Sequence, residues 1–329
     1  MSRSILTFAI LSVLVLLAAA ARLFFIGGAA SWGDELFNIR LTRLFAAAIV
    51  GSSLATGGVF LQSLMRNSLA SPDLLGLASG SGLAVLAAVY VGYAAAGGVV
   101  SSGLSLPVAS IAAVLGALGA LAVTYLLSQR RGLIDPILLV LTGVAVGILC
   151  SAGTMLIRHM LPFQQSGVAD RMMLGALRDD VGTVELLVLG AITLAGIVMG
   201  VAAGRAMDVA ALSDDEAVSI GVSLGKLRTL LFIASGVLTA VSIILAGPIG
   251  FVGLVCPHVA RLAAGPTHRW LVVLAAMTGA LLVIGSDTIV RAIDFPSGRM
   301  PISVVTALVG GPVFVLMLRR RGGWSGGER

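Results

Sequence analysis

Apolar runs of about twenty residues recur along the chain, each closed by a short polar or Gly/Pro cluster. A run of that length crosses a hydrocarbon core of about 30 Å as a helix. The pattern predicts about ten helical spans, near residues 5–26, 43–65, 74–96, 106–128, 134–157, 183–204, 227–247, 250–262, 270–293 and 301–318. Residues 74–129 carry no charge at all, which suits two spans and a turn near 97–105. The fold class is therefore an all-α polytopic membrane bundle, a single transmembrane domain over 1–329. The first run resembles a signal peptide, but the spans that follow favour a retained first helix.

One stretch breaks the pattern. Residues 247–261 read G-P-I-G-F-V-G-L-V-C-P-H-V-A-R, with three glycines and two prolines between long apolar runs. Lipid cannot satisfy open backbone groups, so such a break needs protein or a water-filled cavity around it. Gly247, Pro248, Gly250, Gly253 and Pro257 predict a span end, a bend at Gly247-Pro248 and a short helix stopping near Pro257.

Composition agrees with the pattern. Mean hydropathy is +1.08, with 58% hydrophobic and 11% charged residues, against about a quarter charged in soluble proteins. The formal charge of +6 invites a nucleic-acid reading. The basic residues flank apolar runs singly or in short clusters and form no stripe, so topology-setting loops account for them better. With the N-terminus inside, more Lys and Arg fall inside than outside, and Arg319, Arg320 and Arg321 place the C-terminus inside too. Cys150 and Cys256 both sit in apolar stretches and read as buried free thiols.

Candidate chemistry sits at the ends of the spans. Arg40 and Arg43, in R-L-T-R, are either interfacial anchors or an outward basic docking patch. Residues 66–73 predict an inside turn, with Pro72 starting a helix that brings Ser79 and Ser81 onto the next span. These serines are packing residues or line a pathway. Asp135, Pro136 and Ile137 open another span; Asp135 reads as a cap, or the three form a constriction at the inner mouth, with Thr142 one turn on. An outer polar insert covers about 158–182, and its lone His159 has no second metal ligand at a useful spacing. Between two spans, residues 211–222 contain Leu212, then the capping box Ser213-x-x-Glu216 with Asp214 and Asp215 in the first turn. Ala217 follows, and Gly221 and Val222 close a short helix. Asp287 and Arg291 stand four residues apart in the ninth span. Each costs roughly 2.5–3.5 kcal/mol at mid-bilayer, and together they read as a self-neutralising pair.

Taken together, these motifs resemble the permeases of the type II ABC importers for iron–siderophore complexes, haem and cobalamin. The resemblance covers nearly the whole chain. It rests on 247–261, on R-L-T-R at Arg40, L-M-R-N-S-L-A-S-P-D-L-L-G at Leu64, L-T-G-V-A-V-G at Leu141 and the 211–222 loop. It implies ten spans, both termini cytoplasmic, in a bacterial inner membrane. It further implies a homo- or heterodimer of permeases, two cytoplasmic ATP-binding subunits and a periplasmic or lipid-tethered solute-binding protein. The 211–222 helix resembles the coupling helix that docks on the ATPase. Arg40, Arg43 and Arg291 resemble outward arginines that meet acidic residues of the binding protein, and Ser79 and Asp135 to Ile137 resemble gate regions. ATP and Mg belong to the partner, since this chain has no G-x-x-x-x-G-K-[ST] loop. Thr42, Ser68 and Ser213 depart from the usual Pro, Pro and Gly. Arg299 reverses a commonly acidic position, and the usual tryptophan is missing near Met173.

The sequence therefore predicts a non-enzymatic import subunit, ferric siderophores being the favoured cargo and haem or cobalamin the alternative. A secondary transporter is a distant alternative that would need ionisable groups at mid-membrane. An intramembrane enzyme would need a nucleophile–base pair or metal spacing that the chain lacks.

Overall fold

Long runs of Leu, Val, Ala and Gly can satisfy their backbone in lipid only by forming helices. The computed structural model describes residues 3–25, 35–95, 106–130, 133–161, 175–179, 181–265, 267–293 and 300–322. Its helices are α1 (Arg3–Ala20), α2 (Glu35–Leu64), α3 (Leu77–Ala95), α4 (Leu106–Leu127), α5 (Pro136–Met160), α6 (Thr183–Ala210), α7 (Asp214–Ser219), α8 (Leu224–Ala246), α9 (Val252–Ala264), α10 (His268–Ala292) and α11 (Ile302–Gly322). A π turn, Ala21–Phe25, continues α1, and a 3₁₀ turn, Pro72–Leu75, precedes α3. The only β structure among the described residues is a two-residue antiparallel pair, β1 (Gln129–Arg130) with β2 (Leu133–Ile134). Among the described residues, seven helices are long and apolar enough to cross a membrane, and α4, α9 and α11 contain three shorter apolar stretches. Together these match the ten apolar runs of the pattern.

The bundle is built around α2, which packs along α10, α8, α9 and α6. Of the α2 span, 72% is buried inside the protein, against 6% for α1. Outward-facing positions of α1, α5 and α6 stay apolar, among them Leu16, Leu149 and Val184. That inverts the pattern of a soluble bundle and suits a lipid surface or a second membrane chain.

Two close backbone contacts set the geometry. A Cβ on Gly58 of α2 would run into the Gly253 carbonyl of α9, and one on Gly279 of α10 would run into the Gly51 carbonyl of α2. Side chains elsewhere keep helices 8–10 Å apart; small residues remove that spacer.

Three expectations from the sequence need correction. First, α2 begins at Glu35, eight residues before the apolar pattern does. Arg40 and Arg43 thus lie within its first turns, where ion pairs and carbonyls take up their charge. Second, the turn after α2 covers Met65 to Ala70, with Arg66 at φ 47° and the Ala70 N–H donating to the Asn67 carbonyl at 3.1 Å, and does not extend to Asp73. The chain then climbs back into the bundle. A Cβ on Gly253 would lie 2.7 Å from Pro72 Cδ and 3.0 Å from the Leu54 carbonyl. Leu54 is ten residues before the end of α2, or about 15 Å along it. Helix α3 therefore starts within the bundle. Third, α9 does not stop at Pro257 but runs on to Ala264 and ends at Gly265, φ 70°. The hydrogen bond Pro257 cannot make is the one to Gly253, whose carbonyl instead faces the Gly58 backbone, so continuing the helix costs little.

Candidate functional site

Helix α7 closes one end of the bundle. Ser213 Oγ accepts from the Glu216 N–H at 3.3 Å, and Glu216 Oε2 accepts from the Ser213 N–H at 3.0 Å. Gly221, φ 93°, ends the helix, and the Val222 N–H returns to the Ala217 carbonyl at 3.0 Å. Ala217 is the buried anchor, whereas Leu212, Val218 and Ile220 are exposed although they lie outside any span. Two arginines hold the helix from neighbouring elements. Asp214 receives Arg66 at 2.6 Å and Arg228 at 2.9 Å, and Arg66 Nε also donates to the Ala210 carbonyl at 2.7 Å. The sequence places Arg66 in a turn and Arg228 after the helix but assigns neither this role, because neither partnership is visible without the folded turn after α2.

These contacts make the tether sensitive to acid. Partial burial alone would raise the Asp214 carboxyl, but Arg228 and Arg66 outweigh it and hold the group below its usual value. The bonds from Ser213 likewise lower Glu216. A carboxylate lowered by folding contributes stability that is complete above its ordinary range and is lost as pH falls through the lowered value. Protection from amide exchange across 211–222, relative to the intrinsic rate at each pH, is therefore expected to be constant from neutral pH down to the ordinary carboxylate range and to fall as pH drops from there through the lowered values. In Arg228→Ala protection should be weaker at neutral pH and should change less on acidification; an unchanged profile would show that the tether does not hold α7.

At the opposite end of α2, charge is buried. Asp287 Oδ2 receives Arg22 Nε at 3.0 Å and Asp287 Oδ1 receives Arg43 Nη2 at 2.5 Å. Arg43 Nη1 donates to the Leu177 carbonyl at 2.9 Å and to Asp179 at 2.5 Å, and Asp179 also receives Arg291 at 2.8 Å. Arg40 Nη1 donates to the Leu23 carbonyl at 3.1 Å. The structure thus places Arg40 and Arg43 below the surface, with Arg291 at the rim. Asp287 and Arg291 are not each other's hydrogen-bonding partners: Asp287 serves α1 and α2, and Arg291 serves the outer segment. The sequence paired Asp287 with Arg291 four residues on, whereas its hydrogen-bonding partners lie more than 240 positions away.

Between the two ends lies a cavity of about 500 Å³ bordered by α3, α5, the end of α8 and residues 176–178. It brings together Ser79, Ser81, Gly247 and Pro248 from the sequence-derived set. Ser151, not singled out earlier, donates to Ser79 across it at 3.4 Å. Gly250 and Gly253 follow the bend, with Gly250 beside Asp73 and Gly253 against Pro72. Asp135, Pro136, Ile137 and Thr142 border a different region, at the start of α5. There Asp135 Oδ1 accepts from Ile137 N at 2.9 Å as a helix cap, Thr142 Oγ1 donates back to Leu138, and Ile137 is exposed.

A multi-span helical bundle with an interior cavity, a broken helix pair beside it and a tethered helix outside the spans defines a membrane transport permease. The chain belongs to the FecCD transport family, whose model matches residues 4–320. It is 34% identical over 290 residues to the hemin transport system permease protein HmuU of Yersinia pestis, covering 88% of this chain and 84% of that one. It is 37% identical over 302 residues to the vitamin B12 import system permease protein BtuC of Serratia proteamaculans, again over 88% and 84%. A solved inward-facing structure assigned to the metal-chelate type of ABC transporter superposes with TM-score 0.83 at 27% identity, covering 97% of this chain and 99% of the other. The chain is accordingly a permease of the type II ABC importers.

Proposed function

We propose that the chain is the membrane subunit of an ATP-driven importer of ferric siderophores in a bacterial inner membrane, both termini cytoplasmic. Relatives named for hemin and vitamin B12, and a structural neighbour of metal-chelate type, support a bulky chelate as cargo. Haem and cobalamin are the alternatives within that class. Two such chains form the pathway, with Ser79, Ser81, Ser151 and the Gly247–Pro248 bend along it and Asp135 to Ile137 at its inner mouth. Two ATP-binding subunits sit below, and a solute-binding protein docks at the arginine-rich end. Its acidic side chains meet Arg291 first, with Arg43 and Arg40 behind.

The observation that carries the reading is α7. A six-residue helix outside the spans, with the residues that flank it, exposes Leu212, Val218 and Ile220 beside Asp214 and Asp215. Such an apolar patch needs a protein cover, and its double tether through Arg66 and Arg228 would transmit movement into α2 and α8. Replacing Asp215 with Ala and Val218 with Asp leaves the capping box intact. In proteoliposomes with the ATPase subunits, uptake is expected to fall about tenfold or more, as for a central interface anchor, while ATP hydrolysis continues. Full coupled uptake in that variant would remove α7 from the contact.

A further inference from the structure

Among the described residues, the ion pairs opposite α7 join three arginines, Arg22, Arg43 and Arg291, to two acids, Asp179 and Asp287. Arg22 Nη2, Arg43 Nε and Arg291 Nε are buried and have no hydrogen-bond acceptor among the described residues. The cluster therefore has spare capacity for an anion. Its two acids differ sharply. Asp287 is sealed, with 2% of its side chain exposed, whereas Asp179 is 53% exposed. Asp179 is the water-exposed member of its pairs with Arg43, 7% exposed, and Arg291, 17% exposed, so its place can be taken from solvent in a way that the place of Asp287 cannot.

Asp179 lies in a strap of irregular backbone described over 175–179, of which Ala176, Leu177 and Arg178 border the cavity. The Arg178 N–H donates to the Leu245 carbonyl at 3.1 Å and the Ile302 N–H to the Gly175 carbonyl at 3.0 Å. Gly175, φ 67°, lies so close to the Pro248 carbonyl that a Cβ would collide with it. The strap thus joins the arginines to the bend after α8.

We propose that Asp179 is a built-in substitute for a partner's carboxylate. An acidic side chain arriving at Arg291 and Arg43 displaces Asp179, frees the strap and loosens the cavity wall beside Gly247–Pro248. This rests on the docking reading above and adds to it a route from docking to the pathway.

The test uses the full chain in nanodiscs, with Leu177→Cys as a reporter in a Cys150→Ala background. Leu177 is 4% exposed, so a water-soluble maleimide labels it only when the strap lifts. An oligoglutamate peptide is expected to speed labelling about tenfold, the equivalent of about 1.4 kcal/mol. High salt should abolish the effect, and an uncharged Gly/Ser peptide should have none. Asp179→Asn should label fast without peptide and gain nothing from it, while Asp179→Glu, which keeps the charge, should label slowly. If the peptide binds by fluorescence anisotropy, loses that binding in Arg291→Gln, and yet leaves labelling unchanged, the latch is refuted and docking stands. If no Arg291-dependent binding exists, the docking reading fails and the latch fails with it.

Discussion

Asp287→Ala is expected to destabilise the bundle by about 3–5 kcal/mol, the cost of leaving a buried charge uncompensated. The side chains of Arg22 and Asp287 are each 2% exposed and that of Arg43 is 7% exposed, so water cannot take over the lost contacts. One substitution would take the acid from Arg22 and leave Arg43 with only the Leu177 carbonyl and Asp179. Asp287→Asn keeps an acceptor and removes the charge, and should fall between wild type and alanine. A variant with Arg22→Met, Arg43→Met and Asp287→Leu removes all three charges and should recover much of the loss, because apolar replacements of buried ion clusters are often neutral or better. Thermal unfolding of the purified protein in detergent reads each case. A wild-type midpoint for Asp287→Ala would mean that the cluster is hydrated and the ion pairs matter little.

Gly58→Leu should be among the most damaging purely steric changes in the transmembrane interior. Even the first carbon of a side chain at Gly58 meets the Gly253 backbone, and a backbone, unlike a flexible side chain, cannot swing aside. Overpacking typically costs about 1–3 kcal/mol, and here two helices must separate along their length, so the upper end of that range is expected. Because Gly253 also touches Pro72, α9 and the climbing segment before α3 would shift together. The matched control is Gly119→Ala in α4, where the new carbon meets nothing within 4 Å. It should be neutral or slightly stabilising through helix propensity. Equal yields and melting temperatures for Gly58→Leu and Gly119→Ala would refute the close approach.

The helices were legible in the sequence because bilayer thickness and backbone satisfaction permit almost nothing else for such apolar runs. The α7 cap was legible for a similar reason: Ser213, Glu216 and Gly221 act within a few residues of one another. What hydropathy could not show depends on distant partners. Arg40 and Arg43 lowered the apparent hydropathy of α2 until Leu23, Leu177, Asp179 and Asp287 were in place around them. The climb after Arg66 looked like an ordinary loop because its neighbours, Leu54 and Gly253, come from α2 and α9. Pro257 looked like a helix stop because propensity counts the lost hydrogen bond and not the close packing that absorbs it. In the pathway set, Ser79 and the bend proved to share a cavity, but Asp135 to Thr142 did not, a division that no local motif encodes.

The Arg22–Asp287 pair also imposes an order on biogenesis. Its members are 265 positions apart. At a synthesis rate of about 5–20 residues per second, roughly 13–50 s separate the emergence of the arginine from that of its aspartate. During that interval Arg22 carries a charge whose acid does not yet exist, while Arg43 can already meet Asp179, and an unpaired arginine lies cheaply only at the headgroup level. The end of α1 therefore cannot settle against its partner until α10 arrives. A chain truncated before Asp287 would keep Arg22 unmatched near the membrane surface, a mark by which a membrane protease could recognise an unfinished permease.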